Sequence, residues 1–532
     1  MTKRIIIFTL TVVIVIFGIQ SCSTYYFRSN YTDTNSLIHK TNLLWTKPFL
    51  KAHLKNGDIC ILKDSWKIDS TLNIVSGTGT QYDFNRKQSF QGAINISIDS
   101  VAIFETNEKI VKPETGRIIA LCVMAGVDIL LGIYCLTNPK ACFGSCPTFY
   151  IKENDNFHYA DAEGFSNAIT PSMEYFDIDA LNTQAINSDT FSITMKNEAL
   201  ETHCVNVVKL LAYPVKKGER VFQSPGNEFY LCENKYSLLS AKAEEGDITK
   251  LLKNEDRQER FSLSDEKNLN SKEEIYLTFD NVKNSSDIGL VLNFRQTLMT
   301  TYIFYSAMGY MGDNVSDVFA MLESDEKVRN KFDAATKELG GITCYIWNDK
   351  TNSWVLQSQI NETGPIAINR QFIPLCNTQS GTRVRIKLVL NKGLWRLDYA
   401  SLTNIVNKVA PLELSPTAIY NKGKFDKLAL ANIISQDKYL ISMPGDEYKF
   451  SFTIQGVNTD YELFLYSKGY YLEWMREHWI KDKDLLKLKQ MVNNPKKYLR
   501  EEAKSYKQYE AAMEQEFWNS KIDTKAFSYY EN

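Results

Sequence analysis

Short runs in which apolar and polar residues alternate recur along this chain of 532 residues, and they restrict its fold more than any other feature. Alternation with a period of two places one set of side chains on each face of a β-strand. Asn56-Gly57 lies between two such runs, and this dipeptide is the strongest short-range signal of a hairpin. The pattern predicts a mainly β protein, α+β overall, with two or more antiparallel β domains, including a sandwich.

Changes in composition along the chain predict its domain organisation, and the length alone favours several domains. The predicted segments are a signal peptide at 1–21, a tether at 22–43, a small β domain at 44–112, an apolar helix at 113–140, a β domain at 141–241, a polar linker or loop at 242–272, a β-sandwich with a helical insertion at 273–468, and a C-terminal helical pair at 469–532.

Two apolar stripes at helical spacing predict the C-terminal pair. Leu472, Met475 and Trp479 begin the first stripe at positions i, i+3 and i+7. Asn494 and Pro495 then supply a cap and a first-turn proline, which predict the start of a second helix.

The N-terminus has the organisation of an export signal. Lys3 and Arg4 precede an apolar run that ends near Gly18, and this run is shorter than the roughly 20 residues that cross a bilayer as a helix. The four residues that end in Cys22 (Ile-Gln-Ser-Cys) resemble a lipobox. That resemblance implies cleavage before Cys22 and lipid on its thiol, and it places the protein in the cell envelope. We expect the outer membrane and its periplasmic face, because no acidic run follows Cys22.

Residues 118–136, from Ile118 to Leu136, form the most apolar stretch after the signal, with Asp128 as their single charge. The stretch is just long enough to span a bilayer, but a carboxylate near its centre would cost about 2.5–3.5 kcal/mol on insertion scales. Membrane contact and burial in a protein core therefore both remain open for this segment.

Cys142 and Cys146 are separated by three residues, among them a Gly-Ser pair that suits a turn. A disulfide between them is compatible with an oxidising envelope compartment, and two buried thiols are the alternative. The two-residue spacing of a redox motif is absent, and no second cysteine pair lies nearby to complete a zinc site.

The sequence predicts no catalytic residues, no metal site and no cofactor. Asp161 and Glu163 would share one face of a strand near His158, but small residues surround them, so we expect a solvated strand end. His203 and Cys204 would point to opposite faces of a strand and would not bind one metal. The net charge of −2 gives no sign of the excess of basic residues that nucleic-acid-binding proteins usually carry.

Three tryptophans suggest a binding surface. Trp347, Trp354 and Trp395 fall on predicted sandwich strands, where exposed rings stack on sugars and buried rings fill the core. Both interpretations stay open for each tryptophan.

Several phrases resemble, in the same order, those of a group of Bacteroidota-type outer-membrane lipoproteins that has no assigned activity. They are 98–105 (IDSVAIFE), 142–150 (CFGSCPTFY), 163–166 (EGFS), 196–203 (KNEALETH) and 393–399 (GLWRLDY). The resemblance would cover most of the chain after Cys22, and it implies no functional residue except Cys22.

These observations lead to one expected function and one alternative. We expect a membrane-anchored envelope lipoprotein that is not an enzyme and that binds a protein partner or acts as a scaffold. The alternative is a lipoprotein that binds or processes glycans through the tryptophan-bearing sandwich. The membrane contacts would be the lipid on Cys22 and, if it inserts, the stretch from Ile118 to Leu136.

Overall fold

The computed structural model describes most of the chain after residue 21, and the mainly β prediction is confirmed. The described residues are 22–31, 34–41, 50–54, 58–63, 65–82, 88–113, 146–151, 160–181, 184–186, 189–199, 201–283, 287–315, 318–319, 322, 326–332, 334–361, 364–376, 381–442, 445–454, 459–473 and 482–520. The predicted apolar helix, including Ile118 to Leu136, lies outside them. Among these residues, no helix combines the length and the apolar character that a membrane crossing requires.

The strands of the described residues form four sheets, and every pairing between strands is antiparallel. In the first half of the chain they are β1 Cys22–Tyr31, β2 Leu50–Leu54, β3 Ile59–Leu62, β4 Lys67–Asp69, β5 Ile74–Tyr82, β6 Gln88–Ser97, β7 Val101–Pro113, β8 Thr148–Tyr150, β9 Ala162–Glu163, β10 Tyr175–Ala180, β11 Gln184–Ile186, β12 Thr190–Lys196, β13 Glu201–Val215, β14 Glu219–Gln223 and β15 Phe229–Ala243. In the second half they are β16 Gly246–Asp247, β17 Arg260–Phe261, β18 Lys272–Phe279, β19 Asp287–Gln296, β20 Ile342–Asn348, β21 Ser353–Ile360, β22 Asn369–Cys376, β23 Val384–Asn391, β24 Trp395–Val409, β25 Leu412–Leu414, β26 Ala418–Asn421, β27 Lys424–Phe425, β28 Leu440–Ser442, β29 Glu447–Thr453 and β30 Thr459–Glu473.

Among the described residues the α-helices are fewer than the strands. They are α1 Thr34–Thr41, α2 Thr249–Leu252, α3 Met299–Met311, α4 Glu326–Phe332, α5 Ala334–Leu339, α6 Lys427–Ser435, α7 Leu485–Asn493 and α8 Pro495–Ser520.

The first sheet contains β1 to β7 and includes residues predicted to be a tether. Strand β1 pairs with β7 over its whole length, from Cys22 opposite Pro113 to Tyr31 opposite Phe104. The tether prediction was therefore wrong for this stretch, because a polar sequence rich in Ser, Asn and Tyr can still add a strand to a sheet edge. The hairpin predicted at Asn56-Gly57 is confirmed by the pairing of β2 with β3.

Two six-stranded sheets form the sandwich, and its strands come from distant parts of the chain. Strand β13 pairs with β30 along nearly its full length, with Glu201 opposite Glu473 at one end and Val215 opposite Asp460 at the other. Strand β12 likewise pairs with β29 in the second sheet. The predicted division into 141–241 and 273–468 is not respected, because sequence patterning does not reveal pairings across such separations.

The large sheet has the central order β21-β20-β23-β18-β15-β24-β19-β22, and it curls until its two edge strands meet. At this seam the backbone N–H of Cys376 donates a hydrogen bond of 2.7 Å to the side chain of Gln357. The concave side of this sheet packs against α3, α5, α7 and α8, as predicted for a helical insertion and a C-terminal helical pair.

The first apolar stripe of the predicted C-terminal pair is only partly described. Leu472 lies in strand β30 rather than in a helix, and Met475 and Trp479 lie outside the described residues. Helix α7 begins at Leu485, where the side chain of Asp484 accepts hydrogen bonds from two backbone N–H groups of the first turn. The predicted restart at Pro495 is confirmed. Tyr498 and Tyr506 of α8 are buried in the core beneath the large sheet.

Residues 242–272 form an ordered loop on the large sheet, and the linker interpretation of this segment was wrong. Arg260 is only 1% exposed, and its guanidinium donates to both carboxylate oxygens of Glu273, at 2.8 and 2.6 Å. The same group donates to Glu245 at 2.8 and 2.9 Å. Paired, bidentate geometry of this kind is the condition under which a buried charge is tolerated.

Replacement of Arg260 by Met should strongly destabilise the large sheet. Glu273 would remain buried without its cation, and breaking a buried pair in this way costs about 3–5 kcal/mol. Urea denaturation measures the effect. Arg383→Met is the matched control, because Arg383 is 61% exposed beside Asp280 and such pairs contribute about 1 kcal/mol or less. Equal losses in the two variants would contradict the role assigned to Arg260.

Candidate functional site

The outward face of four strands of the large sheet carries a cluster of aromatic and cationic side chains. Along β18, β20 and β23, buried residues alternate with more exposed ones. This alternation is expected for a sheet with one face on the core and one face toward solvent. We call the outward set the aromatic face, and its members are Tyr276, Tyr345, Trp347, Trp354, Leu356, Arg385 and Lys387. Of these, Tyr276 and Leu356 are 41% and 58% exposed.

Rings and cations alternate on this face. Trp347 and Trp354 are opposite each other in the β20–β21 register, with ring centroids 5.3 Å apart in an edge-to-face arrangement. The guanidinium of Arg385 lies 4.8 Å from the ring centre of Trp347, and the ammonium of Lys387 lies 5.6 Å from that of Trp354. Such cation–π contacts hold the rings in place while leaving part of each ring in solvent.

Carboxylates balance the cations of the aromatic face. Asp349 accepts a hydrogen bond from Arg385 at 2.6 Å, and Glu274 accepts one from Lys387 at 2.8 Å. Tyr276 also packs against Trp354, with centroids 5.8 Å apart. The face is therefore a preorganised, nearly neutral surface of large rings.

Trp395 does not belong to the aromatic face. It is 1% exposed and packs edge-to-face on Phe294 at 5.7 Å in the core beneath the large sheet. The ligand-stacking interpretation was wrong for this residue, because its side chain projects to the concave side of the sheet.

A cavity of about 110 Å³ lies between the sandwich and the helices under the large sheet. Its wall is mostly apolar on the helical side and acidic on the sandwich side. Its lining includes Cys146, Glu163, Glu201, Gly364, Tyr471 and Glu473.

Glu163 is 3% exposed, so the prediction of a solvated strand end was wrong for it. Its carboxylate accepts a 2.8 Å hydrogen bond from the backbone N–H of Ile366. A Cβ on Gly364 would lie 2.0 Å from this carboxylate, so a larger residue there would displace the Glu163 side chain. Asp161 instead accepts a hydrogen bond from the backbone of Ile151 at 2.7 Å. His158 lies outside the described residues.

Glu201 and Glu473 reach the cavity from neighbouring strands of the sandwich. Glu201 lies 3.0 Å from Nε2 of His203, which is fully buried. Tyr471 donates a 3.0 Å hydrogen bond to the carbonyl of Ser166. Burial is the main cause that raises the pKa of Tyr471 well above its usual range, and the acidic groups around the phenol raise it further.

The acidic region continues behind Glu163. Asp179 is 4% exposed, and burial together with the charges of Asp177 and Glu163 raises its pKa well above the usual value. Burial raises the pKa of Asp177 to about 6. Within the part of the chain that the structure describes, no group of three His, Cys, Asp or Glu side chains has the geometry to hold a metal ion.

The cysteine predictions fall partly outside the described residues. Cys22 is described by its backbone as the first residue of β1. Cys146 is buried at the cavity wall, whereas Cys142 is not described, so the disulfide between them stays a prediction. Cys204 is buried in the sandwich core.

No protein-family model matches the chain, and no curated protein matches it either. Two solved structures are weakly similar. One is a GH31 α-xylosidase from Xanthomonas citri, 8% identical, with 79% of this chain and 32% of that chain covered and a TM-score of 0.14. The other is the lipid-containing bacteriophage PM2, 8% identical, with 84% and 100% covered and a TM-score of 0.13. This chain thus spans about a third of the xylosidase chain, and neither likeness carries an argument about function.

The Asp179→Asn variant should become more stable than the parent as the pH rises. The pKa of Asp179 is higher in the folded chain than in the unfolded one. Between these two pKa values the folded chain keeps the carboxyl proton that the unfolded chain has lost. The free energy of unfolding therefore falls as pH rises above about 4, near the unfolded pKa. Because asparagine does not titrate, the difference between variant and parent should grow in favour of the variant from pH 4 to 7, measured by thermal melting.

Asp280→Asn is the control of opposite sign. The hydrogen bond from Arg383 lowers the pKa of Asp280, so its ionised form stabilises the folded chain above about pH 4. This variant should be less stable than the parent by a nearly constant amount from pH 4 to 7, and the deficit should shrink as the pH falls below 4. Parallel behaviour of the two variants would contradict the assignment of a buried, protonated Asp179.

Proposed function

We propose that this chain is a lipid-anchored protein of the bacterial cell envelope and that it binds a protein partner through the aromatic face.

 The observation that carries the anchor is the register of β1 with β7. Cys22 pairs with Pro113, and Ile118 follows Pro113 by five residues, a reach of at most about 17 Å. Cys22, the proposed lipidation site, and Pro113, the last described residue before the apolar stretch, therefore lie at the same end of one sheet.

This shared exit supports a two-point attachment to the membrane. A single acyl chain binds a bilayer only marginally, and stable anchoring takes a second signal. A diacylglyceryl group with an N-acyl chain on Cys22 would be sufficient, and an apolar stretch that starts beside it would meet the same leaflet. In this proposal the N-terminal sheet faces the membrane, and the outer membrane with its periplasmic face remains the expected location.

The composition of the aromatic face supports a protein partner. Trp, Tyr and Arg are the residues most enriched in protein–protein hot spots. Trp347 and Trp354 are half-buried, and Arg385 is stacked on the first of them, so little side-chain entropy would be lost on binding. The nearly neutral charge of this surface suits a partner that buries it.

A glycan is the second candidate for the same face. Trp354 and Tyr276 are adjacent rings at an angle of 55°, which is compatible with stacking on a sugar. Against this, Lys387 lies over the ring of Trp354 and would have to move aside. The protein partner is therefore the leading proposal, and the glycan is the alternative.

Membrane attachment should depend on Cys22. Globomycin, which inhibits the lipoprotein signal peptidase, should cause the precursor to accumulate, and an alkyne-labelled fatty acid should mark the parent but not Cys22→Ser. Expressed behind an ordinary secretory signal, the chain from Ser23 should show a smaller membrane fraction than the lipidated parent. Deletion of residues 118–136 should release the remainder. If no precursor accumulates and the membrane fraction is unchanged, the lipid anchor is wrong.

A photo-crosslinking amino acid at Leu356 should capture the partner in intact cells. The matched control is the same amino acid at Leu72, which is 66% exposed in the turn between β4 and β5. We expect a product from position 356 that is absent from position 72 and that is lost in Trp354→Ala. Identical products from both positions would contradict the assignment. Glycan-array binding that disappears in Trp354→Ala would instead establish the alternative.

A further inference from the structure

Helix α6 presents apolar side chains to solvent on the side that faces away from the protein. Its inner side places Ala429 and Ile433 in the sandwich core. On the outer side, Leu428 is 70% exposed and Ile434 is 54% exposed, with the exposed Ala431 between them. A helix on the surface of a protein normally carries polar residues there.

Phe425 extends this surface at the start of the helix. It is 55% exposed, and its ring packs edge-to-face against Tyr420 at 6.0 Å. We call Phe425, Leu428, Ala431 and Ile434 the α6 patch.

The patch is a fixed part of the fold. The side chain of Asp426 caps the helix by accepting a 2.9 Å hydrogen bond from the backbone of Ala429. At the other end, Asn206 donates to the carbonyl of Gln436 at 2.8 Å. Asn432 donates to the carbonyl of Tyr439 at 3.0 Å, so the segment after the helix is held as well. The outward direction of the apolar side chains is therefore set by the inner contacts.

Three lysines lie at the N-terminal end of the patch. Lys422, Lys424 and Lys427 are exposed, and among the described residues none of the three forms an ion pair with a carboxylate. On the aromatic face, by contrast, Lys387 is paired with Glu274. The α6 patch thus combines exposed apolar groups with three lysines and, among residues 422–427, a single acidic residue, Asp426, whose carboxylate caps the helix.

We propose that the α6 patch inserts into the surface of a bilayer that carries anionic phospholipid headgroups. Large apolar side chains bordered by lysines are the pattern of helices that lie in a membrane interface. Each lysine near an anionic surface adds roughly a fivefold gain in binding. Protein interfaces are depleted in lysine, so the composition favours lipid over a protein partner. The proposal goes beyond the lipid anchor and does not depend on it.

The test uses the chain from Ser23 to Asn532, which cannot carry the lipid. An environment-sensitive fluorescent amino acid is placed at position 431, and the control is the same amino acid at Leu239, which is 52% exposed on β15. With vesicles that contain phosphatidylglycerol, emission from position 431 should shift to the blue, while emission from position 239 should not. Vesicles of phosphatidylcholine alone should produce little shift, and added salt should weaken the response.

Two sets of substitutions in the labelled chain separate the contributions. Changing Lys422, Lys424 and Lys427 to Gln should weaken vesicle binding about fivefold for each lysine removed. Leu428→Asp should abolish the blue shift at position 431, and far-UV circular dichroism checks that the fold is intact. Because the fluorophore reports only its own surroundings, attachment through residues 118–136 would not produce the shift.

Three results would overturn the proposal. The first is an unshifted spectrum at position 431 with anionic vesicles. The second is an equal shift with neutral vesicles, which would exclude the role of the lysines. The third is a shift that needs no vesicles and grows with protein concentration, which would assign the patch to a second copy of the chain. Loss of lipidation at Cys22 changes none of these readings.

Discussion

The pairing of β13 with β30 is the contact on which the rest of the structure depends. The two strands are separated by more than 240 residues in the sequence, so their pairing closes a very long loop and must be supported by burial on both sides. One side of the pair forms the sandwich core, and the other packs on strands β14 and β15. Without this pairing, Glu201 and Glu473 would not meet at the cavity, and the sandwich would lose its central strands.

The same pairing explains how α6 is held. The register shifts between Val205 and Val207, so that Asn206 is left out of the ladder. Its side chain is then available to bond the carbonyls of Gln436 and Lys438. A bulge in the central strand thereby fixes the chain that follows the helix.

Buried arginines link the polar loop to the cavity. Arg295 is 1% exposed, and it donates to both oxygens of Glu259 in the loop at 2.6 and 2.7 Å. It also donates to the carbonyl of Pro365 at 3.1 Å. Because Glu163 accepts a hydrogen bond from Ile366, the short segment from Gly364 is held from two sides. This part of the cavity wall is therefore held by hydrogen bonds to two buried charged side chains, Arg295 and Glu163.

The sequence predicts features that depend on local periodicity and misses those that depend on distant contacts. Alternation identifies the half-exposed strands that carry Trp347 and Trp354, but the same alternation cannot say which face of a strand will be covered, so Trp395 was ambiguous. Glu163 is buried by the distant residues Gly364 and Ile366, which leave no mark on its own neighbourhood. Helix α6 has apolar residues on both sides, and this removes the 3.6-residue period that would reveal it.

Charge pairing distinguishes the two exposed surfaces physically. On the aromatic face, Asp349 and Glu274 neutralise the cations at hydrogen-bond distance, so its field is weak and its contacts act only at short range. Around α6, Lys422, Lys424 and Lys427 form no ion pair among the described residues, and the field of such charges extends about 8 Å at physiological ionic strength. A surface of the first kind suits a partner whose shape matches the rings. A surface of the second kind suits one that is extended, anionic and deformable, because the attraction then needs no matching geometry.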